Sequence, residues 1–323
     1  MHSKTREFSI IIPCYNHGQY LEECLISILQ QTFDSWECII INDGSTDNSE
    51  EIAKEFQKKD ARFIFFSKPN EGLSATRNYG INQSQGKYIL PLDSDDKIGK
   101  NYLKKAFEIL ESNPKAKLVY CKAELFGVRN EFWDLSKYSY PEILFNNCIF
   151  CSAVFKKSDY LNTQGYDLNM KYGYEDWEFW IQLLSKEDEV VQIDSVEFYY
   201  RQKEEESMID FVKDENKFNQ TLDYIFQKHE SKYYELLGVS KDINGFYSLY
   251  NTKKNLEKVE STLNTIKKNL ERTEATLQDT KINLERTEIT LCNTTKSLEK
   301  IKSSFTYKTI YKIEREIRRL LRL

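Results

Sequence analysis

The sequence predicts an α/β protein: a mostly parallel central sheet with helices on both faces, followed by a long helical coiled-coil tail. Two observations carry this. Over residues 8–121, strand-like and helix-like segments alternate with short connections, the order that lays helices against the faces of a parallel sheet. From residue 256 onward, leucine recurs at every seventh position, the period of a helix that packs along a seam.

The elements follow in order. Residues 8–12 (FSIII) read as a short buried strand ended by Pro13. Residues 20–30 place Leu21, Cys24, Leu25 and Ile28 at helical spacing. CIIIND (38–43) is a second strand. Asp47 and Glu50 predict a helix N-cap with its capping-box partner, for a helix running to Lys59. RFIFF (62–66) is a third strand, LSATRNYGINQ a helix and KYILPLD (87–93) a fourth strand. KNYLKKAFEILES is another helix and KLVYC (117–121) another strand. Beyond residue 122 the pattern is less regular. SAVFKK and VVQIDSVEFYYR read as strands, DWEFWIQLLS as a helix.

Composition bounds the class. With 323 residues, 40% of them apolar, and 40 Tyr and Phe side chains, the chain can build a large core and suggests two domains. It has no run of about 20 apolar residues, so no transmembrane helix is expected. The start, MHSKTREFSIII, leads directly into a strand and leaves no room for a signal peptide. Seven irregularly spaced cysteines then read as reduced thiols, and the expected location is cytoplasmic. The one CxxC, Cys148 to Cys151, reads as core packing. With only three histidines, a histidine-based metal site is not expected. The net charge of −5 divides into about −12 over residues 1–249 and +7 over residues 250–323. An acidic body with a basic tail implies two parts with different partners. Nucleic acid is not among those expected.

Open sheets of this kind bind ligands outside the carboxyl ends of their strands. Those ends carry Cys14-Tyr15-Asn16, Asn42-Asp43-Gly44 and Asp93-Ser94-Asp95-Asp96. Asp93, Asp95 and Asp96 repel one another, which a cation would relieve. An EF-hand is excluded, because Lys97, Ile98 and Lys104 stand where it requires Asp or Asn, Gly and Glu. A few hard oxygen ligands suit Mg²⁺ or Mn²⁺ completed by water and phosphate. Such an ion would neutralise and orient a diphosphate leaving group. The plain alternative is a solvated acidic turn.

Four stretches, SIIIPCYNHGQYLEECLISILQQTF, ECIIINDGSTDNS, KPNEGLSATRNYGINQSQGKYILPLDSDD and GYEDWEFW (173–180), occur in that order. Together they resemble the family 2 glycosyltransferases of the GT-A fold, inverting enzymes of the bacterial surface-polysaccharide type, over roughly residues 7–207. The resemblance implies transfer of a sugar from a nucleotide-diphosphate donor, UDP- or dTDP-linked, to a hydroxyl of a glycan or lipid-linked acceptor. Tyr15 would pack on the base and Asp43 would accept an N–H from uracil, thymine or guanine. Asp93 would contact the ribose, and Arg77 would neutralise phosphate or pair with the aspartates. Pro13, Asn16, Asn70 and Ser94 would complete the nucleotide-sugar site. Asp95 would ligate the metal, with Asp93 and Asp96 as further candidates. Asp176 would be the general base, and Glu175 would orient it or the acceptor. Alternatively, both simply favour the dipole of the helix they begin.

One departure stands out. Many relatives carry Tyr-Arg-x-His near the end of the catalytic domain, where this chain has Tyr200-Arg201-Gln202-Lys203. A charged lysine cannot ligate a metal, so Lys203 would instead meet the diphosphate. Two rival readings are a coiled-coil scaffold whose nucleotide-binding domain is catalytically silent, and a nucleotidyltransferase. Intact Asp95 and Asp176 argue against the first; the second has no role for Glu175-Asp176.

The organisation expected is a catalytic domain over 1–207, a helical extension over 208–250, a coiled coil over 251–303 and a basic amphipathic helix over 304–323. NLEKVESTLNTIKK, NLERTEATLQDTKI and NLERTEITLCNTTK are a 14-residue repeat. Its leucines, 256 to 298, take position a; Val259, Ile266, Thr273, Thr280, Thr287, Thr294 and Ile301 take d. The g positions are neutral and the e positions alternate in sign, which predicts self-association in antiparallel or higher-order form. The other reading is a solvated helix lying on its own domain. In the last segment Ile310, Ile313, Ile317, Leu320 and Leu321 share a face ringed by Lys308, Lys312, Arg315, Arg318, Arg319 and Arg322. That suits an anionic membrane surface, with peripheral placement at the inner membrane face, or a partner helix.

Overall fold

The computed structural model describes residues 6–171, 173–203, 215–237 and 243–321. The chain forms two compact units that divide between Phe246 and Tyr247.

The first unit is built on one nine-stranded sheet. Its first half alternates as expected: β1 (Phe8–Cys14), α1 (Gly18–Leu29), β2 (Trp36–Asp43), α2 (Ser49–Lys59), β3 (Phe63–Lys68), α3 (Leu73–Gln83) and β4 (Tyr88–Pro91). Then follow β5 (Lys97–Ile98), α4 (Tyr102–Ser112), β6 (Ala116–Gly127), β7 (Glu131–Trp133), α5 (Tyr140–Phe145), β8 (Val154–Lys156), α6 (Lys157–Tyr160), α7 (Glu175–Leu183) and β9 (Glu189–Gln202). The strand order is β3-β2-β1-β4-β8-β6-β9-β5, with β7 beside β6. Strands β1 to β4 pair in parallel, and so do β6 and β9. Because β4 and β6 both run antiparallel to β8, they run parallel to each other. The carboxyl ends of β1, β2, β4 and β9 therefore open on one rim. Every residue of β1 and β2 is buried, as in a parallel sheet covered on both faces.

Two local details differ from the expectation. Strand β1 continues through Pro13 to Cys14. Pro13 lies on the β4 side of β1, two residues past the last β1–β4 pair at Ile11 and Pro91, so its missing N–H breaks no ladder bond. The capping box of α2 does not form. Asp47 does accept the Ser49 N–H at 3.0 Å, but Glu50 turns away to Asn42 and Lys54.

Two more helices, α8 (Glu215–Lys228) and α9 (Glu230–Leu237), complete the unit's described part. Buried Glu178 of α7 anchors them, accepting from Lys228 at 2.9 Å and from His229 at 2.7 Å. Lys232 donates to the carbonyls of Ile181 and Leu184 that end α7. The expected boundary at 207/208 lies outside the described residues.

The second unit is helical: most of α10 (Ile243–Ser303, 61 residues) and α11 (Phe305–Leu321). Leu256 to Leu298 present an exposed apolar stripe along α10. Each d-position threonine turns its hydroxyl back onto its own helix, Thr273 to Asn269 O, Thr280 to Thr276 O, Thr287 to Asn283 O and Thr294 to Thr290 O, all within 2.8–2.9 Å. The hydroxyl is thereby satisfied. The helix breaks at Ser304, whose Oγ accepts the Tyr307 N–H and starts α11. Ile310, Ile313, Ile317 and Leu320 are exposed; Arg322 lies outside the described residues. Among the described residues no helix is long and apolar enough to cross a membrane.

Candidate active site

The rim gathers residues that are far apart in sequence. Arg77, on α3 and 1% exposed, donates through Nη2 to Asp93 Oδ1 at 2.7 Å and through Nη1 to Glu175 Oε1 at 2.5 Å. Burial opposes its charge, but the two carboxylates outweigh this and hold its pKa well above the ordinary arginine value. The Tyr166 ring lies 5.3 Å from the guanidinium carbon. Cys151 donates its thiol to the other Asp93 oxygen at 3.5 Å.

The backbone before α7 aims the two acidic residues. Gly173 and Tyr174 both have positive φ, and a left-handed tyrosine is uncommon outside constrained sites. Glu175 is buried against Arg77. Asp176 is half-buried; its carboxylate accepts from Asn147 Nδ2 at 3.1 and 3.2 Å and from the Trp177 N–H at 2.7 Å. Burial, reinforced by the neighbouring Glu175 charge, pushes the Asp176 pKa up to about 7.

The three clustered aspartates have separate partners. Asp93 faces Arg77. Asp95 Oδ2 accepts from Lys203 Nζ at 2.5 Å. Asp96 is buried, accepts the Arg201 N–H at 2.8 Å and keeps its other oxygen unpaired. Burial, with the charges of Asp95 and Asp93, raises the Asp96 pKa well above the carboxylate range. Their mutual repulsion, from which a metal was expected, is countered within the chain by Arg77 on Asp93 and Lys203 on Asp95.

Lys203 is held on three sides. Besides Asp95, its ammonium lies 3.1 Å from His17 Nε2 and 5.0 Å from the centre of the Tyr20 ring. His17 Nδ1 lies 2.8 Å from Ser94 Oγ. A lysine only donates, so Nε2 must accept and the imidazole proton sits on Nδ1. Burial lowers the His17 pKa, in keeping with a neutral ring.

At the ends of β1 and β2, Tyr15 is 49% exposed, next to buried Pro13. Asn16 adopts a left-handed conformation and its Oδ1 accepts the Thr46 N–H at 2.8 Å. Asp43 is buried and already engaged: Oδ1 accepts from Lys68 and the Glu71 N–H, and Oδ2 from the Gly72 N–H. Gly44 has φ of +76°, and a Cβ there would stand 2.9 Å from the backbone nitrogen of exposed Asn70. Only glycine lets the β2 end and the Asn70 loop approach so closely.

All thirteen expected site residues therefore lie on or beside this rim. Sequence reasoning missed His17, Tyr20, Asn147, Cys151 and Tyr166. His17 offered a signal, standing just after Tyr15-Asn16; Asn147 and Tyr166 lie where the periodicity is irregular.

Asp95, the expected ligand, carries an ammonium ion; Asp93 carries a guanidinium; Asp96 is buried and accepts the Arg201 N–H. Among the described residues no group of three or more His, Cys, Asp and Glu side chains is arranged to hold a metal. With these partners in place, the donor set does not fit a divalent metal.

The sheet has the GT-A fold, on which families of glycosyltransferases are built. The chain belongs to one family of these, the glycosyl transferase family 2, whose family model matches residues 9–170. It is 43% identical over 102 residues to the glycosyltransferase GlyA of Streptococcus pneumoniae serotype 4, a match covering 32% of this chain and 15% of that protein. It is 30% identical over 247 residues to the minor teichoic acid biosynthesis protein GgaB of Bacillus subtilis, covering 70% of this chain and 27% of that one. The chain thus spans less than a third of either relative. Its fold is similar to that of S. aureus TarS 1-349 in complex with UDP, with a TM-score of 0.53 and 18% identity over 73% of this chain and 76% of that one. A TarS complex with UDP-GlcNAc gives a TM-score of 0.53 at 19% identity, over 71% and 73%.

Proposed function

We propose that this protein is an inverting glycosyltransferase that moves a sugar from a nucleotide-diphosphate donor to an acceptor hydroxyl in the synthesis of a cell-surface glycan. The observation that carries this is Arg77, which joins the donor-side Asp93 to the acceptor-side Glu175 through one guanidinium. The link sets the two halves of a displacement at a fixed spacing.

Asp176 takes the proton of the acceptor hydroxyl. The freed oxygen attacks the anomeric carbon as the bond to the β-phosphate breaks, and the nucleoside diphosphate leaves. One displacement from the face opposite the leaving group inverts the centre. A pKa of about 7 matches a base that must be ionised at neutral pH yet retain basicity. Tyr15 stacks on the base and Asp43 accepts its N–H. The similarity to the teichoic acid biosynthesis protein GgaB, and the UDP and UDP-GlcNAc in the TarS complexes, support a surface glycan and a UDP-type donor. The divalent metal of many relatives has no place in this reading, because Lys203 stands on Asp95.

The tail assembles copies of the chain, since the leucine stripe of α10 is exposed over its whole length. Helix α11, with exposed isoleucines among lysines and arginines, rests the assembly on an anionic membrane surface near a lipid-linked acceptor.

A panel of UDP-, dTDP- and GDP-sugars tests the donor. Ligand binding raises the melting temperature by mass action, so one nucleotide series should stabilise the protein. NMR of the product should give the inverted anomer. A protein stabilised by none of them is not a nucleotide-sugar enzyme.

A further inference from the structure

We infer that Lys203 is the resident cation of the site: it stands where a divalent metal would otherwise meet the donor's diphosphate, and donor binding needs no metal. This rests on the reading of the rim as a nucleotide-sugar site. The placement follows from topology, because β9 runs parallel to β6 and brings its carboxyl end beside Asp95.

The seat is built for an ammonium. Asp95 supplies the countercharge at 2.5 Å, His17 an acceptor nitrogen at 3.1 Å, and Tyr20 an aromatic face at 5.0 Å. An aromatic face attracts an organic cation but is no ligand for Mg²⁺ or Mn²⁺. His17 is itself fixed, since its other nitrogen is committed to Ser94. An ammonium has three donors. Asp95 and His17 take two, and the third remains for a phosphate oxygen. Arg201 steadies the same turn, donating through Nε to the Asp95 carbonyl at 2.7 Å. Lys203 is thus a cation on a tether, present in every molecule at every metal concentration.

The test is calorimetric titration of the full chain with UDP, GDP and dTDP, and with the matching monophosphates, in excess EDTA and again with Mn²⁺. The wild type should bind one diphosphate in EDTA with an affinity that Mn²⁺ leaves unchanged. Lys203→Met keeps the apolar stem and removes the charge. In EDTA it should weaken that diphosphate about ten- to hundredfold and the monophosphate much less, while circular dichroism reports an intact fold. Lys203→Arg should restore most of the loss. Lys203→His should bind the diphosphate only with Mn²⁺ and give an electron paramagnetic resonance signal of bound Mn²⁺. Strict Mn²⁺ dependence in the wild type overturns the inference, as does undiminished EDTA binding by Lys203→Met. If no diphosphate binds the wild type under either condition, the nucleotide-sugar reading itself falls and takes this one with it.

Discussion

Asp93 and Glu175, which lie in separate motifs far apart in sequence, are held 2.7 and 2.5 Å from the two terminal nitrogens of one arginine. Two carboxylates depend on a single buried charge. Replacing Arg77 with Met should destabilise the protein by about 3–5 kcal/mol, the usual cost of stripping one partner from a buried ionic group. Arg77→Lys should rescue little, because one ammonium lacks the fork that spans both acids. Urea denaturation measures both. A loss within experimental error would show that the bridge holds nothing together.

Asp176→Asn keeps the shape of the side chain and cannot take a proton. Turnover should fall by about 10²–10⁴-fold with donor affinity nearly unchanged. In the wild type, kcat should climb with pH and level off above about 7, where the carboxylate is ionised. Collapse of donor affinity in the variant would instead place Asp176 in the nucleotide site.

The same residue makes a stability prediction of definite sign. Its folded pKa lies above the ordinary carboxylate value, so ionisation works against the folded state. That cost is absent below about pH 4, the unfolded carboxylate's pKa, and grows until the folded group is ionised above about 7. Asp176→Asn should therefore gain stability relative to wild type between pH 4 and pH 8. Parallel melting curves at the two pH values decide it; an unchanged difference would mean that Asp176 titrates normally.

Cutting the chain after residue 250 should leave a monomer that still transfers sugar to a soluble acceptor, read by light scattering and activity. In the full chain, neutral g and alternating e positions favour antiparallel neighbours, although each exposed pair is worth under ~1 kcal/mol. With the other cysteines removed, exposed Cys292 reports orientation. Efficient disulfide formation between two copies of Cys292 would make the helices parallel.

Serine at Ile313, Ile317 and Leu320 should release the protein from anionic vesicles, and added salt should weaken the residual attraction. If the intact chain ignores such vesicles at low salt, α11 serves a protein partner.

The first half of this unit was legible because its strands are short runs rich in apolar residues, β1 and β2 buried along their whole length, and each connection is short. Helix α3 could be bounded to the residue, since Gly72 and Ser84 flank it. The Asp-rich turn was legible as a site, but its electrostatics were not. Charge relief there comes from Arg77 and from Lys203, which the sheet order delivers from two other elements; no local spacing encodes that. Asn147 was invisible for the same reason. Its segment has neither a 3.6- nor a 2-residue period, and its importance comes only from lying against Asp176.

Asp43 shows what a crowded acceptor does to molecular choice. A carboxylate has about four lone-pair positions. Lys68, Glu71 and Gly72 fill three of them, so the valence left for a visiting nucleobase is one. A pyrimidine imide, with its single ring N–H, fits that vacancy without eviction. Guanine presents an N–H and an amino group side by side, and would have to dislodge a backbone amide to seat both. By this counting, discrimination at Asp43 works by exclusion: UDP and dTDP should displace each other freely, and GDP should compete poorly with either.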